Sequence, residues 1–313
     1  MKNQSIFFAA LMIFSMTACM EDGIFEDGMD DGSASGSSLF TTASYDASAE
    51  TLISASFDDI DESTDEAIER YFSFAQGGGH HGRIEGPFGN HLECAAVTRD
   101  SVNQIITIDF GDGCEDPRGI IRSGKIIIEH GGEFRQPGEY RIVTFENFFI
   151  DSIGVEGVRT ITNVSDTAAN PNLIVHDSQL ESGKLTFPDG TTITREANHT
   201  RSRYRGDTRE ESYATISGSA SGTLQDGTDY NMQILEEIYI DGACQYGVPV
   251  KGIKEFIAGD QSVTIDFGDG SCDNLANLTI NGETETIELQ SRQFLDREHR
   301  GKRGRGKGGR HGG

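Results

Sequence analysis

The chain has 313 residues, with 51 acidic and 26 basic side chains, a net charge of −25 and no tryptophan. That length suits one large domain or two ordinary ones, and the lack of tryptophan counts against an indole-lined sugar platform. The acidic excess is uneven: residues 20–76 hold fifteen acids and one base, residues 77–291 hold 34 acids and 16 bases, and residues 292–313 reverse the sign with eight bases and two acids.

At the N-terminus Lys2 precedes an apolar run, Ile6 to Met16. The run suits a signal-peptide core and is too short to span a bilayer. It ends in Met16-Thr17-Ala18-Cys19. Small residues before a cysteine resemble a bacterial lipobox, with Met16 in place of the usual leucine. The resemblance implies a signal peptide over residues 1–18, lipidation (palmitate among the acyl groups) of Cys19, and an anchor that several acyl chains would make stable. Cys19 is also the odd one of five cysteines. Met20-Glu21-Asp22 follows. An acidic pair there resembles the surface-export tag of Bacteroidetes lipoproteins, which implies the outer membrane and the cell surface.

Residues 20–62 are rich in Gly, Ser, Asp and Ala. Such a stretch buries too little surface to offset the entropy of ordering it, so residues 19–76 are expected to form an acidic flexible tether. It carries one short helix, 64–75. Ser63 and Glu66 form the capping pattern S-x-x-E, Ile68, Tyr71, Phe72 and Ala75 recur at helical spacing, and Gly77-Gly78-Gly79 stops the helix.

After Gly82 the pattern becomes short segments rich in Ile, Val, Thr, Phe and Tyr, separated by Gly131-Gly132, Pro137-Gly138, Pro188-Asp189-Gly190 and Asn281-Gly282. Asn281-Gly282 between two alternating runs is a strong hairpin signal. No helical pattern alternates with the strands, which excludes a parallel βαβ sheet. The expected fold is all-β with antiparallel sheets, sandwich-like, in two disulfide-stapled halves, residues 77–166 and 167–291, preceded by the short helix.

Thr-Ile-Asp-Phe-Gly-Asp-Gly occurs twice, at 107–113 and 264–270. The strand period of two puts Ile106, Ile108 and Phe110, and likewise Val263, Ile265 and Phe267, toward a core, with the first aspartate of each copy outward. Gly-Asp-Gly then turns the chain. A cysteine precedes each copy, Cys94 and Cys244, and another follows, Cys114 and Cys272. Of three possible pairings, the parallel arrangement favours Cys94–Cys114 and Cys244–Cys272, in keeping with an oxidising compartment. There is no C-x-x-C spacing for zinc.

Several segments in order, including "TIDFGDGCEDPRGIIRSGKIII", "YRIVTFENFFIDSIGVEGVRTITN", "KLTFPDGTTITRE" and "TIDFGDGSCDNLANLTINGETETIEL", resemble an uncharacterised family of Bacteroidetes β-rich surface lipoproteins over Cys94 to Leu289. The resemblance implies an exported β-rich lipoprotein and brings no catalytic residues. Asp-Phe-Gly-Asp-Gly and "FRQPGEYRIVT" also resemble PKD-type repeats, which would imply an adhesion or carbohydrate-associated module. Ile108 and Ile265 stand where that family has tryptophan, and Cys114 and Cys272 depart from it.

Among candidate sites, Asp109, Asp112, Asp266 and Asp269, with Glu115, Asp116 and Asp273, could supply calcium oxygens. Their spacing fits no EF-hand loop, and the favoured reading is turn chemistry, in which aspartates accept from nearby backbone amides. His80, His81 and His91 lie in Gly-rich sequence, read as linker rather than metal site. Arg201, Arg203 and Arg205 alternate, so an extended strand would present all three on one face. With Arg195 and Arg209 nearby they could grip an acidic glycan or a phosphate; the competing use is cross-strand pairing with carboxylates. Asp109-Phe110-Gly111 lacks every other element of a kinase. Asn163, Asn198 and Asn277 begin chance N-x-Ser/Thr sequons. The basic Gly/Arg/Lys tail, 292–313, is read as disordered; given the address, no specific nucleic acid is expected, and lipopolysaccharide phosphates, extracellular DNA or the acidic tether are its alternatives.

No Ser/His/Asp order or metalloprotease motif is present, and no cofactor is required. The expectation is therefore a membrane-anchored extracytoplasmic lipoprotein serving a surface, adhesion or glycan-binding role without catalysis. The alternative is an extracellular glycosidase-like hydrolase using a carboxylate pair.

Overall fold

The computed structural model describes residues 52–289, except 55, 62, 69–91, 117–118, 133–135 and 245–247. Helix α1 covers 52–68. Fourteen strands follow: β1 Ala96–Asp100, β2 Ile105–Asp109, β3 Cys114–Glu115, β4 Ile121–Gly131, β5 Tyr140–Ile150, β6 Ile153–Asn163, β7 Leu173–Thr186, β8 Thr192–Tyr204, β9 Tyr213–Thr223, β10 Asp229–Asp241, β11 Lys251–Ala258, β12 Gln261–Asp269, β13 Leu275–Ile280 and β14 Glu283–Glu288. All belong to one antiparallel sheet in chain order, with the two-residue β3 pairing off the path onto β4. The sheet does not close. The expected all-β antiparallel fold with two disulfides and one short helix is what the chain adopts. Its halves are not separate sheets, however: β6 and β7 pair from Asn163↔His176 to Gly154↔Thr186, across the expected 166/167 boundary. The two stapled regions are opposite ends of one sheet.

Successive strands are neighbours because tight turns return the chain at once. Phe187-Pro188-Asp189-Gly190-Thr191 and Leu224-Gln225-Asp226-Gly227-Thr228 are built alike. The first residue donates to the carbonyl of the fifth, at 2.9 and 2.8 Å, and the aspartate accepts from the amide two residues on, at 3.0 and 2.9 Å. Asn281 and Gly282 both take positive φ, 49° and 89°, as the two-residue hairpin requires.

The doubled motif behaves as its period predicts. Ile106 and Ile108 are buried opposite Ile128 and Ile126 of β4, and Phe110 follows them into the core. In the second copy Val263 and Phe267 are buried, and half-buried Ile265 packs beside Phe267. The first turn is fastened to a bulge in β4: the Phe110 amide donates to the Gly124 carbonyl and the Gly124 amide to the Gly111 carbonyl, both at 2.9 Å. Gly124 has φ +78°, and a Cβ there would lie 1.9 Å from the Asn147 carbonyl oxygen, so only glycine fits. The disulfides join Cys94 to Cys114 and Cys244 to Cys272, the expected pairing, with Cα separations of 5.6 and 5.3 Å. Spanning 20 and 28 residues, each stabilises by roughly 3 kcal/mol in the chain-entropy model.

The inward face of the sheet and α1 share one apolar cluster, running from Ile53, Phe57 and Ile60 through Ile126, Val143, Leu180 and Ile193 to Phe256 and Val263. The position of α1 corrects the expectation. Helix occupies 52–62, where tether was expected, and Ser63 is buried inside it rather than capping it. Residues 69–75 lie outside the described residues. Ile53, Phe57, Ile60, Ala67 and Ile68 fall on one helical stripe and are buried. Between them stand aspartates, and the sheet meets these with arginines from three adjacent strands. Arg122 of β4, fully buried, makes a fork on Asp59 (Nε–Oδ2 2.8 Å, Nη2–Oδ1 2.6 Å) and reaches Asp116 (3.0 Å). Arg141 of β5 pairs with Asp65, and Arg159 of β6 donates to Asp61 at 2.5 Å.

Removing Asp59 would leave the fork of buried Arg122 unpaired, with Asp116 as its remaining carboxylate, and breaking a buried pair in this way is strongly destabilising. Asp59→Ala should therefore destabilise the protein by about 3 kcal/mol, read as a lower urea midpoint with an unchanged slope.

Candidate functional site

Strand β8 carries the expected arginines. Ile193, Arg195 and Ala197 are buried, and the odd-numbered alternation continues through Arg201 and Arg203, which are exposed on the same, inward face. Arg205 is exposed just past the strand. β8 ends at Tyr204, and Arg205 lies beyond it, its amide donating to the Asn172 carbonyl at 2.9 Å. Arg195 is sealed in the core, and Arg209 donates to the Cys244 carbonyl at 3.3 Å, beside the second disulfide.

Register brings further groups to Arg201 and Arg203. His176 of β7 stands directly opposite Arg201, and Ile174 opposite Arg203. Asn163 of β6 stands opposite His176 on its other side. Arg141 of β5 reaches Asp65 from one strand further away, and its Nε lies 3.5 Å from Glu139. Burial, then the positive charges of Arg141, Arg203 and Arg201, push the His176 imidazole down to about 4, against the opposing pull of Asp65. His176 is thus neutral at pH 7, first because it is buried and then because of the positive charges of Arg141, Arg203 and Arg201. The Asp65 side chain is 54 % exposed; it loses some solvation against the sheet, but Arg141, with Arg203 and Arg201 behind it, more than offsets this and holds the carboxyl below its ordinary value. The same three arginines stabilise a negative charge and oppose a positive one, which defines an anion-attracting corner between the C-terminal part of α1 and strands β5, β7 and β8.

One turn earlier on α1, Asp61 differs. Burial pushes its carboxyl up to about 6 despite Arg159. Its Oδ1 and the Arg159 Nε have no hydrogen-bond partner among the described residues, so the pair is joined through a single contact and desolvation prevails.

The aspartates of the doubled motif do turn chemistry. Asp109 and Asp266 accept from the amides of Gly111 and Gly268, at 2.8 and 2.9 Å. Asp269 accepts from both the amide and the hydroxyl of Ser271, and these bonds hold its carboxyl below its ordinary value. Asp116 serves Arg122, and Asp273 accepts from the Leu275 amide. Asp112 lies exposed on the first turn. Among the described residues no group of three or more His, Cys, Asp or Glu side chains converges as a metal site would require. Cys19, His80, His81, His91 and the tail 292–313 lie outside the described residues.

Sequence reasoning missed Arg122, Arg141, Arg159 and His176. Arg122, Arg141 and Arg159 do carry a signal: each interrupts an apolar alternation on the inward side of its strand, where a charge needs a partner. Comparison with family models, with curated proteins and with solved structures finds no match to this chain.

Asp61 and His176 give opposite pH dependences. Asp61 binds its proton near pH 6 when folded and near 3.8 when unfolded, so acidification through 6 stabilises the fold. His176 binds its proton near pH 4 when folded and near 6.5 when unfolded, so acidification below 6.5 destabilises it. Each contribution is at most about 3 kcal/mol, and in the wild type they offset one another. Asp61→Asn should leave a stability that falls between pH 6.5 and 4, and His176→Gln one that rises, as read from urea midpoints across that range.

Proposed function

We propose that this chain is a lipid-anchored surface protein that binds an anionic glycan or similar polyanion without turning it over. The observation that carries the reading is the corner of Arg201, Arg203 and Arg141 around neutral His176. Two guanidinium groups there are exposed, on the face where neighbouring arginines already hold carboxylates. An arginine fork matches a carboxylate, sulfate or phosphate group. The address rests on the lipobox at Cys19, the following Glu21-Asp22, and the two disulfides, which suit an oxidising compartment. The resemblance to Bacteroidetes surface lipoproteins supports the outer membrane.

The hydrolase alternative has one observation in its favour: Asp61 and Asp65 sit one helical turn apart with carboxyls displaced in opposite directions. Each, however, is bonded to an arginine that docks the helix, which favours a structural role for both.

Titration with polygalacturonate or heparin should show binding that weakens with salt and falls at least tenfold in Arg201→Glu/Arg203→Glu, with no new reducing ends released from the polygalacturonate. No binding by the wild type, or release of reducing ends, would overturn the reading. For the anchor, radiolabelled palmitate should enter the wild-type protein and not Cys19→Ser.

A further inference from the structure

The outward face of the same strands holds a second, unrelated constellation. Tyr204 of β8 stands directly opposite Tyr213 of β9. Tyr239 of β10 is diagonal to Tyr213, which is itself opposite Asp241. The three rings stack in sequence, with centroids 5.1 and 5.4 Å apart and planes 18° and 28° from parallel. Because side chains alternate, Tyr204 points away from the face that carries Arg201 and Arg203. All three rings are half-exposed, and no hydrogen bond ties their hydroxyls to another described residue.

The core does not need this ladder, since the apolar cluster lies on the other face. Cross-strand stacking of this kind stabilises by about 1 kcal/mol per pair, and the three rings remain half-exposed. Around them the outward face carries the hydroxyls of Thr200, Ser202, Thr215 and Ser217, with Leu173 opposite Tyr204 and Val175 opposite Ser202 on its β7 side. Thr215, opposite Tyr239, is buried beside the ladder. Burial, with Asp241 and Tyr213 nearby, raises the Tyr239 phenol above its ordinary value, so it stays protonated and able to donate. Beyond Tyr239 the row continues with exposed Lys251, its cross-strand partner on β11. One acid and one base flank the rings, so the patch favours neither sign of charge.

We infer that the Tyr204–Tyr213–Tyr239 ladder is a binding site for a neutral, hydroxyl-rich polysaccharide lying across strands β8 to β10. The rungs repeat at 5.1–5.4 Å, close to the advance of one pyranose ring along an extended glycan. Successive sugars would then meet successive phenols, with their hydroxyls bonded to the tyrosine, serine, threonine and Asp241 oxygens. With one acid and one base beside the rings, the patch does not select an ionic partner. This inference does not depend on the arginine corner, which lies on the opposite face.

The chain has no tryptophan and eight tyrosines, so tyrosine absorbance and emission report the site directly. The full-length protein would be titrated with neutral hexasaccharides of β-1,4-glucan, β-1,3-glucan, β-1,4-xylan and β-1,4-mannan, following the tyrosine difference spectrum and the heat of binding. At least one should perturb the spectrum saturably. Its affinity should fall at least tenfold in Tyr213→Ala and severalfold in Tyr213→Phe, which keeps the stack and removes one hydroxyl. It should be unchanged in Arg201→Glu/Arg203→Glu. The inference is overturned if none of the four sugars perturbs the wild-type spectrum at millimolar concentration, or if binding survives in folded Tyr213→Ala. It is also overturned if affinity is lost only with the arginine substitutions, which would place the sugar on the other face.

Discussion

A continuous open sheet with one apolar face must have that face covered, because exposed apolar surface of that extent costs far more than a small protein's net stability. Over β4 to β6 the cover is α1, and the contact is both apolar and charged. Ile53, Phe57 and Ile60 enter the core, with Phe57 edge-on to Phe145 at 6.5 Å and Phe145 stacked on Phe148. The charged part fixes where the helix lies. Three aspartates along α1 meet three arginines on three consecutive strands, so sliding the helix by one turn would leave buried charges unpaired. Apolar burial supplies the bulk of the stabilisation, and the Arg122–Asp59 fork supplies the register.

The same arrangement explains why an anion-attracting corner exists at all. The inward face of β4, β5 and β6 carries guanidinium groups whose partners are the carboxylates of α1. Where the helix ends among the described residues, Arg201 and Arg203 continue the basic face into solvent. The arginines that dock the helix and those that face solvent act on the same two groups, Asp65 and His176. Structure and recognition are thus coupled through electrostatics at one corner. The tyrosine ladder is independent of this, because in a sheet only one layer thick the two faces of β8 to β10 can serve two purposes.

Much of the fold was legible from short-range chemistry. The hairpins at Asp189-Gly190 and Asn281-Gly282 depend on residues within the turn itself. The inward placement of Ile106, Ile108 and Phe110 depends only on the strand period. The pairing Cys94–Cys114 and Cys244–Cys272 followed from cysteines placed alike around a repeated segment. The helix was misplaced because its signal is shared with distant residues. Asp58, Asp59 and Asp61 read as a solvated tether until Arg122 and Arg159, 63 and 98 positions from their partners, are seen to neutralise two of them.

The sequence by itself determined what is local: antiparallel strands, their inward and outward residues, the turns, and the sulfur bridges, all set by neighbours a few residues apart or by a repeated motif. Only the tertiary structure decided that the strands form one open sheet, that an acidic segment becomes its helical cover, that Arg201 stands opposite His176, and that Tyr204, Tyr213 and Tyr239 stack. Those outcomes depend on register between strands and on the pairing of charges far apart in the chain, quantities that no single stretch of sequence contains.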